Sequence, residues 1–217
     1  MRSACIIDLD NTLTMQKTIR ALGQHAGVLD EVDTVLARNH GEMPVTRHDT
    51  VHLAKAFAGA DVQGLRDAAG AVALRPGAAE MLAALRGIGF ELHLATNIYH
   101  PVAEVFRERL RLDSVFAPDV VVEGGRLTGE MAPPERPGPC GEFHCKGQVV
   151  HHFDEGDVTL AIGDGPNDLC MLDAATHAVG VEPCTSAVRV AADVVVRDLR
   201  AVATVVARRV PLRARLR

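Results

Sequence analysis

The sequence predicts an α/β protein: a doubly wound, mostly parallel sheet, with a helical insert after its first strand. Three observations predict it. Short apolar runs end in polar residues at Asp8, Thr96 and Asp164, as buried parallel strands do when they deliver polar groups at their carboxyl ends. Beyond residue 75 such runs alternate with helical periodicity, which points to strand–helix–strand units. Residues 14–74 depart from that alternation, being helical in pattern and Ala-rich.

The elements follow in order. Ala4 to Ile7 reads as a strand ending at Asp8 and Asp10. Thr14 to about Leu74 reads as helices broken by Gly41, Pro44, Gly59 and Gly64. A helix then lies between Pro76 and Gly87, with Pro near its start and Gly just past its end. Glu91–Thr96 is a strand, and Pro101–Leu112 a helix with Val102, Val105, Phe106 and Leu110 on one face. Asp119–Glu123 and Arg126–Met131 flank Gly124-Gly125, a pair that permits the positive φ of a hairpin turn. Ala132–Gly141, rich in Pro and Gly, is a loop. A helix at Lys146–Phe153 and a strand at Val158–Gly163 come next. Short strands at Ala178–Val181 and Asp193–Val196 precede a helix at Asp198–Arg209. The Arg-rich stretch from Arg208 to Arg217 reads as a solvated end. The expected organisation is a core of residues 1–13 and 76–217 around a helical cap of residues 14–75.

Composition narrows the function. The 217 residues are 47% hydrophobic and 24% charged, enough for a sizeable core. A net charge of −5 gives no basic footprint for a phosphate backbone, and 3% aromatics supply few stacking platforms. No nucleic-acid partner is expected. No apolar run approaches the roughly 20 residues that span a bilayer, and the first residues lack a signal-peptide pattern. The expectation is a cytoplasmic protein with no membrane partner. Five scattered Cys residues read as free thiols. No G-x-G-x-x-G follows a strand and no G-x-x-x-x-G-K-[ST] is present, so nicotinamide enzymes and P-loop NTPases lack support.

Four short motifs remain. Asp8 and Asp10 place two carboxylates at one strand end, where one can attack an electrophile while the other shuttles a proton. Thr96-Asn97 offers a hydroxyl and a backbone N–H to a phosphoryl oxygen. Lys146 can neutralise charge on a transferring phosphoryl group. In Gly163-Asp164-Gly165-Pro166-Asn167-Asp168, glycines turn the chain tightly and two carboxylates gather hard oxygens that suit Mg²⁺. Singly, each has an ordinary alternative as a solvated turn, a helix entry or a surface charge. Together they occur in order, each at a strand end or helix start.

In that order the motifs resemble those of the haloacid dehalogenase-like hydrolase superfamily: Asp8-x-Asp10-x-Thr12, Thr96, Lys146 and Gly163-Asp164-Gly165-x-Asn167-Asp168. The resemblance spans roughly residues 4–200. The insert and the hairpin resemble the phosphoserine-phosphatase-like branch with a C1 cap (subfamily IB). It implies a Rossmann-like core and a Mg²⁺-dependent phosphatase acting on a small-molecule phosphate ester. Asp8 would be the nucleophile forming an aspartyl-phosphate, and Asp10 the acid and base. Thr96 and Lys146 would grip the phosphoryl oxygens. Mg²⁺ would rest on Asp8, the Asp10 carbonyl, Asp164 and Asp168. Thr12, Asn97 and Asn167 would line the substrate site. Two alternatives stand beside hydrolysis: transfer of the phosphoryl group to an alcohol, and a phospho-accepting signalling protein.

The chain also departs from that branch. Thr96 is followed by Asn97 and Ile98, where phosphoserine phosphatases have Gly-Gly. Approximate pairings put Lys17 where they carry a cap Glu for the substrate amine, and His52 where they carry a cap Arg for its carboxylate. The expected substrate is therefore an anionic or polyhydroxylated phosphate ester rather than L-phosphoserine. Lys17, Arg38, His40, Arg47, His48 and His52 are the candidate cap contacts. Cys140-x₄-Cys145-Lys146 is similar to phosphocholine-type phosphatases of the same branch. It leaves open a Zn site with His151 or His152, an oxidisable thiolate at Cys145, or an ordinary active-site loop.

Overall fold

The computed structural model describes residues 3–38, 43–133, 140, 142–153 and 157–209. Strand β1 (Ser3–Ile7) is followed by four helices, α1 (Thr18–Ala26), α2 (Leu29–Arg38), α3 (Arg47–Ala56) and α4 (Val62–Gly70). Then come α5 (Ala78–Gly87), β2 (Glu91–Ala95), α6 (His100–Leu110) and β3 (Ser114–Phe116). The hairpin β4 (Val120–Glu123) and β5 (Arg126–Met131) precedes α7 (Lys146–Val150) and β6 (Val158–Gly163). A 3-10 turn at Pro166–Asp168 leads into α8 (Leu169–Ala174), β7 (His177–Val181), α9 (Ser186–Ala191), β8 (Val194–Val196) and α10 (Ala201–Arg209).

Six strands form one parallel sheet in the order β3-β2-β1-β6-β7-β8. The chain winds outward from β1 to β3 on one side and from β6 to β8 on the other. The topological switch point therefore lies between β1 and β6, where ligands bind in open α/β sheets. Both faces are covered, and residues alternate between them with period two. Cys5, Ile7, Leu92, Leu94, Leu160 and Ile162 face the larger core, with Met81, Leu85, Phe106 and Val202 from α5, α6 and α10. Ala4, Ile6, Ala95, Ala161 and Ala178 face Val149, Met171 and Val188 from α7, α8 and α9.

Three elements differ from the expectation. Strand β3 is only three residues long and half-buried, too short for a periodic signal. Helices α8 and α9 have six residues each and likewise carry little periodicity. Gly64 does not break a helix but sits inside α4, where a Cβ would lie 2.4 Å from His25 Nε2. The connection from α1 to α2 turns instead at Gly27, in the left-handed region. The candidate residue His40 and the Arg-rich end from Val210 onward fall outside the described residues.

The four-helix insert leaves and rejoins the sheet side by side. Met15 N–H donates to Ala73 O and Arg75 N–H to Leu13 O, at 3.0 and 2.8 Å. The hairpin pairs with the insert rather than with the main sheet: Gly59 N–H donates to Leu127 O and Val62 N–H to Gly125 O. Gly129 (φ +89°) passes so close that a Cβ there would lie 2.9 Å from Ala58 Cβ. Helix α3 starts at Arg47 because Thr46 and Asp49 form a reciprocal capping box.

Candidate active site

The carboxyl ends of β1 and β6 bring Asp8 and Asp164 together at the switch point, and the turn after β6 adds Asp168. Carboxylate oxygens of Asp8, Asp164 and Asp168 lie within 4.8 Å of one another, and all three residues are buried. The first turn of α7 supplies Lys146, 3% exposed, whose Nζ donates to Asp8 Oδ1 and, at 2.7 Å, to Asp168 Oδ1. Asp168 is fixed by its other oxygen, which accepts from the backbone N–H groups of Asp164 and Gly165, both at 3.0 Å. Thr12 donates its hydroxyl to Asp164 Oδ1 at 2.8 Å.

Electrostatics follow from this geometry. Three carboxylates face one ammonium, a formal balance of −2 that a divalent cation would neutralise. Burial, then repulsion from Asp168, pushes the Asp8 carboxyl well above the ordinary range, against the pull of Lys146. The same two causes push Asp164 up to about 7. Burial works against the Lys146 charge, but Asp168 and Asp8 outweigh it and hold its pKa above the ordinary lysine value. Hard oxygen donors at this charge suit Mg²⁺, so the residues present fit the cation that the motifs imply.

Asp10 stands apart from that cluster. Its Oδ1 accepts from Thr18 N–H at 2.8 Å, at the start of α1. Burial raises its pKa against that bond, so it holds a proton to higher pH than a free carboxyl. It was expected among the metal residues through its carbonyl; its carboxylate lies outside the three that converge. Thr96 is buried, and its Oγ1 accepts from Ile98 N–H at 3.2 Å, which leaves its own hydroxyl proton free to donate. Asn167 bridges to the insert: Oδ1 accepts from Val45 N–H at 3.0 Å and Nδ2 donates to Val45 O at 3.2 Å.

A cavity of about 100 Å³ opens over these groups, lined by Asp8, Asp10, Thr96, Asn97, Lys146, Asp164, Asn167 and Asp168. Of the candidate cap contacts, Lys17 lines it. Arg47 and His52 do not. Helix α3 turns Thr50 and Leu53 to the cavity, and helical spacing then carries His48 and His52 to the opposite, exposed face, where their rings stack. Arg47 instead lies over the Phe143 ring, 5.3 Å from its centroid. Arg38 is exposed and also lies outside the lining.

Sequence reasoning missed four residues here. Asn11 lines the cavity in the left-handed region, φ +64°, where Asn is tolerated. Tyr99 is 2% exposed, lines the cavity, and its hydroxyl has no partner. Glu142 is buried with Oε2 unpartnered; burial pushes it up to about 7 against hydrogen bonds from Asn167 and Asn97. Cys170 joins Cys140 and Cys145. Asn11, between Asp10 and Thr12, and Glu142, four residues ahead of Lys146, were the visible signals; Tyr99 and Cys170 are brought in by tertiary packing.

Two outcomes are expected from this packing. A Cβ at Gly163 would lie 2.5 Å from Asp168 Cγ, and Asp168 is held on both oxygens. Gly163→Ala should cost about 1–3 kcal/mol in urea unfolding and abolish whatever activity the cluster supports. An unchanged midpoint would mean that Asp168 moves freely. Burial also lowers His144 to about 4. It thus stays neutral in the fold over a range where the unfolded chain, with a pKa near 6.5, takes up a proton. Stability is therefore lost as pH falls below about 6.5. His144→Gln should remove about 2 kcal/mol of the loss between pH 7 and 4.5, after discounting for its partial exposure. Denaturant midpoints of both proteins at the two pH values check this.

With the geometry in place, similarity to known proteins decides the family. A haloacid dehalogenase-like hydrolase family model matches residues 5–173. The chain belongs to this family. A second model of the same description matches residues 154–205. Relatives include a phosphoserine phosphatase of Halobacterium salinarum, 32% identical over 189 residues, 81% of this chain and 84% of that protein. Another, from Streptomyces coelicolor, is 30% identical over 178 residues, 78% of this chain. The chain spans 42% of that relative's length. The fold matches a structure described as a phospho-aspartyl intermediate analogue of phosphoserine phosphatase, with a TM-score of 0.79 at 22% identity, covering 97% of this chain and 99% of the other. Among the described residues of this hydrolase-family chain, no helix is long and apolar enough to cross a membrane.

Proposed function

We propose that this chain is a Mg²⁺-dependent phosphatase that hydrolyses a small-molecule phosphate monoester through an aspartyl-phosphate. The observation that carries the reading is the buried Asp8–Lys146–Asp168–Asp164 cluster beneath the cavity at the switch point. Phosphoryl transfer needs mostly positioning and charge neutralisation, and this cluster supplies both.

Lys146 binds Asp8 Oδ1 and so orients the carboxylate, leaving Oδ2 to attack phosphorus. The bond from phosphorus to the ester oxygen breaks as the bond to Asp8 forms. Asp10, its pKa raised, gives its proton to the departing oxygen. Asp10 then takes a proton from water as that water attacks phosphorus and releases Asp8. Thr96 Oγ and the Asn97 amide hold phosphoryl oxygens meanwhile. Asp8, Asp164 and Asp168 would hold Mg²⁺, which supplies positive charge against the phosphoryl oxygens. Residues 14–75, moving with the hairpin, would form a cap that hinges beside Thr14 and Arg75 and is latched by Asn167 to Val45.

The substrate we propose is not L-phosphoserine. Among the described residues, every carboxylate lining the cavity belongs to the Asp8, Asp10, Asp164 and Asp168 set, which leaves none of these lining residues to pair with an α-ammonium. The wall contributed by the insert offers Lys17, Thr50 and the apolar Ile19, Leu36, Val45 and Leu53. Lys17 favours an anionic group, whereas among the described lining residues the hydroxyls that could meet a polyhydroxylated one are those of Thr50 in the insert and of Thr96 and Tyr99 in the core. The best fit is an amine-free ester whose short carbon skeleton carries a second anion. Phosphate release with Mg²⁺ tests this across L-phosphoserine, phosphorylated hydroxy acids and sugar phosphates. The phosphorylated hydroxy acids should give the highest kcat/KM; a preference for L-phosphoserine would overturn the substrate reading while leaving the phosphatase reading intact.

A further inference from the structure

Beside the active site, three thiols converge. The Sγ atoms of Cys140, Cys145 and Cys170 lie within 4.8 Å of one another. Cys145 is the N-cap of α7, Cys170 lies in the first turn of α8, and Cys140 comes from the preceding turn. Gly147 makes the convergence possible. A Cβ there would lie 2.9 Å from the Cys170 carbonyl oxygen and 3.0 Å from its Cβ, so a larger residue would hold the helices apart. Cys145 is buried, whereas Cys140 and Cys170 are partly exposed and open a route to solvent. None of the three lines the cavity over Asp8.

We propose that Cys140, Cys145 and Cys170 form a site for a thiophilic d¹⁰ cation such as Zn²⁺, distinct from the carboxylate site. Zinc–sulfur bonds of about 2.3 Å in tetrahedral geometry place sulfur atoms about 3.8 Å apart. The observed limit is wider by about 1 Å, a gap that cysteine χ1 rotations can close. Each thiol releases its proton to solvent as its sulfur binds the cation, with no change of oxidation state, and water takes the fourth position. Soft thiolates and hard carboxylates sort the cations: Mg²⁺ goes to the aspartates and Zn²⁺ to the thiols. The third protein ligand is Cys170, not His151 or His152. Both are exposed, and the His152 ring stacks on Phe116. A bound cation would tie α7 to α8, and with them Lys146, next to Cys145, to Asp168, two residues before Cys170.

The test is titration of the reduced full chain with Co²⁺ in excess Mg²⁺. Expected is a thiolate-to-Co²⁺ charge-transfer band that saturates at one equivalent and is displaced by Zn²⁺. Losing a ligand should weaken binding at least as much as losing a supporting contact, so Cys170→Ser should cost at least about tenfold in affinity. Cys184→Ser, outside the group, should cost nothing. Zn²⁺ should also protect Cys140 of the unaltered chain from alkylation, read by mass spectrometry, which keeps the test open if a variant does not fold. Absence of the charge-transfer band, a band unchanged in Cys170→Ser, or alkylation of Cys140 at the same rate with and without Zn²⁺ would overturn the site.

Discussion

Asp8→Asn should lower phosphate release by at least about 10⁴-fold, the scale on which losing a nucleophile acts, while the protein stays folded. The amide keeps the shape of the side chain but cannot form the phosphorus–oxygen bond. Folding should not suffer, because Lys146 keeps its bond to Asp168 when Asp8 is neutralised. Its own pKa is raised by burial and by Asp168, so a neutral group there relieves repulsion. The formal balance of the cluster moves from −2 to −1, and Mg²⁺ affinity should fall with it. Phosphate release, a thermal melt and a Mg²⁺ titration, run side by side on both proteins, separate these effects. If the variant keeps activity within tenfold of the parent, Asp8 is not the nucleophile.

Lys146→Met should both inactivate and destabilise, by about 3–5 kcal/mol at neutral pH in the absence of divalent cation. Removing the ammonium leaves Asp8 and Asp168, both buried, without a counter-charge. The pH dependence has a definite sign. Carboxyls whose folded pKa lies above the unfolded value are stabilising when protonated, and that stability is lost as pH rises. The variant should therefore recover stability toward acid pH and lose it toward neutral and alkaline pH. Mg²⁺ should restore part of the loss by supplying charge to the same oxygens. Urea unfolding at pH 5 and pH 8, with and without Mg²⁺, reads both effects. Lys146→Arg should not rescue activity, because a planar guanidinium does not fit a slot that leaves Lys146 3% exposed. A destabilisation equal at both pH values would mean that the loss is one of packing.

Much of the fold was legible because it is written in local patterns. Strands β1, β2 and β6 are apolar runs that close on polar residues. Helix α5 carries Pro before it and Gly at its end, and the hairpin turns at Gly124-Gly125. The elements that escaped, β3, α8 and α9, are held by what they pack against: β3 pairs with β2, and α8 contributes Met171 and Leu172 to the second core. Short segments owe their structure to tertiary contact rather than to propensity.

The candidate site divides in the same way. The sequence by itself determined which groups meet there: Asp8, Asp10, Thr96, Lys146, Asp164 and Asp168 stand at strand and helix ends, and a parallel sheet brings such ends to one edge. Only the tertiary structure decided the far wall and the thiol cluster. Lys17 reaches the cavity while Arg47 and His52 do not, because α3 is rotated to show it Thr50 and Leu53. Tyr99, Asn167 on Val45, and Cys170 beside Cys145 likewise depend on how one element docks on another. The physical reason is range. Strand ends and caps are set by neighbours along the chain, whereas the rotation of a helix about its own axis is set by the packing of distant residues.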